Sequence, residues 1–160
     1  MKKIFPIICL VIGLLFFNVS PASAAEQYIN WETEPNNYFE TPNYLLPYSY
    51  KSALNKGYIQ DKNDIDIWFF FASEKNYRVV LEPPYGSLYD VAIWEKDRYT
   101  KERKLVANTR EDNFDIVKYI DLPGIYDDGV VREYYIVVHS IFPALNQPNE
   151  PYMLVIDDTI

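Results

Sequence analysis

No stretch of twelve residues in this 160-residue chain keeps a period of 3.6, whereas short β-branched and aromatic runs alternate with turn residues from Lys56 onward. That alternation confines the chain to an all-β architecture with little helix. The runs that read as strands are Gly57–Gln60, Ile65–Ala72, Tyr77–Leu81, Asp90–Trp94, Lys104–Ala107, Phe114–Ile120, Glu133–Ser140 and Tyr152–Ile156. Between them stand segments rich in turn formers, among them Ser73-Glu74-Lys75-Asn76, Pro83-Pro84-Tyr85-Gly86, Leu122-Pro123-Gly124 and the stretch from Pro143 to Pro151. Eight strands at this spacing fit a jelly-roll-like β-sandwich. In the run from Ser87 to Trp94, Leu88, Asp90, Ala92 and Trp94 share one face, and Tyr89, Val91 and Ile93 share the other. Trp68-Phe69-Phe70-Phe71 and Tyr134-Tyr135-Ile136-Val137-Val138 are apolar on both faces, which marks them as central strands covered on both sides.

The N-terminus reads as a secretory signal. Lys2 and Lys3 precede an apolar run from Ile4 to Phe17, and Pro21-Ala22-Ser23-Ala24 supplies the small residues of a cleavage site, so residues 1–24 are expected to leave. The run is shorter than the about 20 residues of a membrane span, so no span is expected after cleavage. Residues 25–160 then form one domain, of which 25–52, rich in Pro, Asn and Tyr and without a period, read as an irregular N-terminal arm. The single cysteine, Cys9, departs with the leader, so an exported domain without disulfides must rely on its core or on a bound ion. Loss of Lys2 and Lys3 leaves 13 basic residues against 23 acidic, a formal charge of −10 that argues against nucleic acid as a partner.

Two polar clusters stand out: Glu32-Thr33-Glu34-Pro35-Asn36-Asn37, and Asp61-Lys62-Asn63-Asp64-Ile65-Asp66 leading into Ile67-Trp68-Phe69. Calcium takes about six to eight hard oxygen ligands, and these two stretches supply that many carboxylates and amides if the fold joins them. Pro35 stiffens the first stretch, and Glu32 and Glu34 project to one side of an extended chain. Taken alone, the residues leave two readings open. The first cluster is a calcium site or a solvated acidic linker, and Asp66 is a ligand or a carboxylate that accepts backbone N–H bonds at a strand start.

Glu-x-Glu-Pro-Asn-Asn in an arm, a Gly-containing strand, Asp-x-Asp-x-Trp-x-Phe, a Gly-x-Tyr corner at Gly124-Ile125-Tyr126 and the Tyr134-Tyr135 strand together resemble the bacterial pre-peptidase C-terminal domain family. That family of β-sandwich modules is similar to the calcium-dependent collagen-binding modules of bacterial collagenases. The resemblance implies calcium ligands at Glu32, Glu34, Asn36, Asn37, Asn63 and Asp66, with Asp64 as a substitute for Asn63. Asn37 and Asn63 stand where the collagen-binding branch often has aspartate, which lowers ligand charge. It also implies ligand contacts from Tyr126, Tyr134 and Tyr135, although residues 127–132 separate segments that the family runs together.

Catalysis is not expected. The only histidine, His139, lies in a strand, with Ser140 facing the opposite side, and no nucleophile elbow, zinc-binding helix motif or phosphate loop is present. Fifteen tyrosines exceed what a small core uses, and Tyr48, Tyr50, Tyr85, Tyr89, Tyr99 and Tyr126 lie at turns, where they form a binding face or cover core edges. The expectation is a secreted non-catalytic module with structural calcium that recognises an extracellular protein or polysaccharide. The alternatives are an accessory or inhibitor of a secreted peptidase and a small hydrolase using paired acids.

Overall fold

The computed structural model describes residues 27–50, 53–72, 76–109, 117–122, 131–142 and 147–158, so the signal segment, Tyr126 and Phe114 to Ile116 lie outside it. Ten strands appear in chain order: β1 (Ile29–Trp31), β2 (Asn43–Tyr44), β3 (Leu54–Gly57), β4 (Ile65–Ala72), β5 (Tyr77–Glu82), β6 (Tyr89–Lys96), β7 (Arg103–Asn108), β8 (Lys118–Leu122), β9 (Arg132–Ser140) and β10 (Tyr152–Asp157). They form two five-stranded sheets, β1-β3-β10-β5-β8 and β2-β4-β9-β6-β7, with no helix among the described residues. Without β1 and β2, the eight longer strands are ordered β3-β10-β5-β8 and β4-β9-β6-β7, the jelly-roll arrangement expected from the sequence.

Alternation places the core. Tyr89, Val91 and Ile93 of β6 are fully buried, and they meet Trp68 and Phe70 of β4, Ile136 and Val138 of β9, and Leu154 and Ile156 of β10 between the sheets. Strands β4 and β9 pair antiparallel over eight residues, from Ile65–His139 to Ala72–Arg132. Their outward rings, Phe69 and Tyr135, meet aromatic residues of the arm: Tyr44 lies 5.2 Å from Phe69, and Phe39 lies 5.5 Å from Tyr135 and 6.1 Å from Trp94, centroid to centroid. The double coverage that the all-apolar runs imply is therefore supplied in part by the arm.

The arm is less irregular than its composition suggests. Its two short strands extend both sheets at the same side of the sandwich, β1 parallel to β3 and β2 parallel to β4. Each covers an otherwise unpaired edge. Asn55, fully buried in β3, fixes this arrangement: its Nδ2 donates to the carbonyls of Leu46 and Leu154, and its Oδ1 accepts from Leu46 N and from Asn30 Nδ2.

Strand boundaries differ from the sequence reading at several places: the strand expected at Phe114–Ile120 runs over Lys118–Leu122 within the described residues, and the shift before β4 bears on the site. The strand expected at Gly57–Gln60 lies at Leu54–Gly57, and residues 58–64 leave the sheet to form the β3–β4 corner. The cause is local competition for donors. Glu32 Oε1 takes the Tyr58 N–H at 2.6 Å and Asp64 Oδ2 takes the Gln60 N–H at 2.5 Å, so side-chain carboxylates replace a strand ladder.

Candidate metal centre

Between β1 and β2 the arm crosses from one sheet to the other, and residues 32–37 pass over the β3–β4 corner. The two polar clusters of the sequence meet there. One carboxylate oxygen from each of Glu32, Glu34 and Asp66 lies within 4.8 Å of the others. Asn36 ties the arm to this group, donating from Nδ2 to Glu32 Oε2 and from its backbone N–H to Glu34 Oε2, while its carbonyl accepts from Ile67 N. The Glu34–Pro35 peptide bond is cis.

Asp66 starts β4 with its side chain directed inward and is fully buried. Its Oδ2 accepts from the Tyr152 hydroxyl at 2.6 Å, and that hydroxyl in turn accepts from Trp68 Nε1 at 2.7 Å. This chain of bonds fixes the carboxylate plane from the core side. Burial, reinforced by the hydrogen bond and charge of Glu32, pushes the Asp66 carboxyl up to about 10. Burial likewise raises Glu32 and Glu34, the latter also feeling Asp64. Three carboxyl groups this close do not ionise together unless a cation offsets their repulsion.

The remaining oxygens complete the set. Asn36 Oδ1, Asn37 Oδ1 and Asp66 Oδ1 are buried without a hydrogen-bond partner. Beside the carboxylates lies a cleft of about 230 Å³ lined by Glu34, Asn37, Gln60, Asp61, Asn63 and Asp64. Unpartnered buried oxygens are costly, and three of them beside one acidic group are of the type that could hold a hard cation. The cluster contains oxygen donors only, which favours calcium or magnesium over zinc, and its mixed carboxylate and amide character suits calcium's variable coordination.

Of the seven residues expected from the sequence as ligands, Glu32, Glu34, Asn36 and Asp66 are brought together, and Asn37, Asn63 and Asp64 line the adjoining cleft. Asp64 is held by Gln60 N, and Asp61 accepts from Asn63 N. The tyrosines fall elsewhere. Tyr134 is 5% exposed in the core, and Tyr135 is 5% exposed beneath Phe39, so neither is an open contact surface. Tyr85 and Tyr99 are 87% and 84% exposed, whereas Tyr89, expected at a turn surface, is fully buried.

Sequence reasoning missed Tyr58, Gly57 and Tyr152. Tyr152 acts across 86 positions of sequence and left no local signal. Gly57 has one: it is the only glycine of the β3 region, and a Cβ there would collide with Glu32 Oε2 and the Tyr152 hydroxyl. Gly57→Ala is expected to destabilise the fold by about 2 kcal/mol by forcing those two groups apart. Chemical denaturation of the two proteins measures this directly, and an unchanged midpoint would contradict the close approach.

No protein-family model matches the chain, and no curated protein matches it in sequence. Among solved structures, the chain is similar to the pre-peptidase C-terminal domain of collagenase from Bacillus anthracis. The likeness covers 81% of this chain and 95% of that one, with a TM-score of 0.45 and 15% identity.

Proposed function

We propose that this protein is a secreted, non-catalytic binding module in which calcium clamps the N-terminal arm onto the sandwich. The observation that carries the reading is the group of buried, unpartnered oxygens of Asn36, Asn37 and Asp66 beside the Glu32, Glu34 and Asp66 carboxylates. Glu32, Glu34, Asn36 and Asp66 would hold the ion, with Asn37 and Asp64 at its cleft side. The bound ion supplies positive charge that lets the carboxylates ionise together. The chain's own residues set the geometry: Tyr152 orients Asp66, Tyr58 N–H orients Glu32, and Asn36 links two arm carboxylates.

The role is structural because the site joins a crossing arm to a corner and places no nucleophile beside a base. His139 sits mid-sheet, with Ile65 and Asp90 as its cross-strand neighbours. The signal-like N-terminus supports an extracellular setting. Exposed tyrosines at Tyr38, Tyr85 and Tyr99 offer broad contact area with polar tips for an extracellular protein or polysaccharide.

Titration calorimetry of the purified protein tests the clamp. Calcium is expected to bind the wild type, and Glu32→Ala/Glu34→Ala is expected to weaken binding by more than about 100-fold, since both arm carboxylates leave the set. No binding at millimolar calcium, or equal binding by the double variant, would overturn the reading.

A further inference from the structure

The two sheets differ on their outer faces. That of β2-β4-β9-β6-β7 is partly covered by Phe39 of the arm, whereas that of β1-β3-β10-β5-β8 leaves Ile29, Trp31 and Tyr119 exposed and Leu54, Val80 and Val155 half-buried. Register places an apolar row across this second sheet. Ile29 pairs with Leu54, Val155 pairs with Val80, and Val80 pairs with Tyr119. Leu54 lies two residues from Lys56, and Val155 lies two from Met153, the partner of Lys56, so all five side chains form one line. Inward neighbours such as Asn55, Leu154, Val79 and Ile120 are buried, which turns this line to solvent. Ile29 is 42% and Tyr119 58% exposed.

The next row carries opposite charges on either side of the central strand. Lys56 of β3 pairs with Met153 of β10, and Met153 pairs with Glu82 of β5. Lys56 and Glu82 therefore flank β10 symmetrically, one strand away on each side. From this geometry we infer that the outer face of the β1-β3-β10-β5-β8 sheet is a self-complementary surface that pairs with a second copy of this chain about a two-fold axis lying along β10.

Such an axis exchanges β3 with β5 and β1 with β8 between copies. Lys56 of each copy then faces Glu82 of the other, giving two cross-copy ion pairs. Leu54 meets Val80, Ile29 meets Tyr119, and Val155 meets its own equivalent at the axis. The third row holds Asp157 beside Arg78, whose guanidinium binds Asp121 in a bidentate pair; the axis sets the two Asp157 side chains opposite each other at the rim, so the attraction between copies rests on Lys56, Glu82 and the apolar row. Sheets stacked face to face lie about 10 Å apart and within about 30° of alignment, a gap that lysine and glutamate side chains bridge. Five strands and three rows span about 24 Å by about 20 Å. That footprint is smaller than the about 800 Å² per partner of standard interfaces, so association is weak and reversible. The other sheets would face outward in opposite directions, making the pair bivalent for an extended ligand.

Sedimentation equilibrium from about 0.01 to about 1 mM protein tests this, with charge reversal as the discriminating device. The wild type is expected to rise from monomer toward dimer mass across that range. Lys56→Glu alone sets glutamate against glutamate, and Glu82→Lys alone sets lysine against lysine, so each is expected to weaken association by about tenfold or more. An equimolar mixture of the two single variants restores both ion pairs in the mixed dimer and is expected to recover wild-type mass, which also shows that both variants are folded. A wild type that stays monomeric to about 1 mM overturns the inference. Single variants that associate as well as wild type, or a mixture no stronger than its components, overturn it equally.

Discussion

Replacing Asn55 by alanine lowers the unfolding free energy by about 3–4 kcal/mol, because one fully buried side chain bonds four groups of the arm and of β10 at once. Leu46 N and O, Leu154 O and Asn30 Nδ2 all bond to it, at 2.8–3.1 Å, and Asn55 itself is fully buried. Truncation leaves the Leu154 carbonyl of β10 and both Leu46 groups of the arm without their partner inside the fold. The damage concentrates on the arm. Leu46 precedes Pro47 in the segment that leads back to β3, and Asn30 belongs to β1, so the arm loses attachments at both ends of its crossing. Denaturant unfolding gives the magnitude, and limited proteolysis gives the location, with cleavage expected first within residues 32–50. A loss below about 1 kcal/mol would show that the arm's edge strands hold without this side chain.

The sandwich was legible because strands such as β5, β6 and β10 carry a pattern of period 2 that is read from neighbours alone, and β4 and β9 stand out as runs apolar on both faces. β4 occupies the expected residues, Ile65 to Ala72, and the inward set Tyr89, Val91 and Ile93 follows from simple alternation. The two arm strands were not legible. With three and two residues, they carry too little pattern, and they exist because β3 and β4 offer free edges, a fact of topology and not of local sequence. The acidic cluster was visible as two stretches, and the fold brings them together where residues 32–37 pass over the β3–β4 corner. Its supporting groups were hidden for a physical reason: Tyr58 contributes a backbone N–H, which every residue has, and Tyr152 reaches Asp66 from the far end of the chain. The tyrosines show the limit of type-based reasoning. Tyr134, Tyr135 and Tyr152 spend their rings on packing, with Tyr134 tilted against Phe70 and Tyr135 under Arg103 and Phe39, so abundance alone did not predict a contact surface.

Calcium is expected to raise the midpoint of thermal unfolding by about 10 °C when present at about 100 times its dissociation constant. The size follows from linkage. An ion that binds only the folded state adds about 2.7 kcal/mol at that excess, and a domain of this length shifts by about 3–4 °C for each kcal/mol. The unfolded chain lacks the site because Glu32 and Glu34 are separated from Asp66 by more than 30 residues and meet only when the arm crosses the β3–β4 corner. Glu32→Ala/Glu34→Ala should abolish the increment while melting close to wild type in chelator, since it removes both the Tyr58 acceptor and the crowding of carboxylates around Asp66. Asp66→Asn separates the effects further: the amide oxygen still accepts from Tyr152, so the metal-free fold keeps its buried bond, but the charge needed by the ion is gone. Scanning calorimetry of the three proteins, each in chelator and in calcium, resolves them. An increment that survives in either variant would place the ion somewhere other than the arm crossing, and its absence from the wild type would mean that the buried oxygens of Asn36, Asn37 and Asp66 hold no calcium.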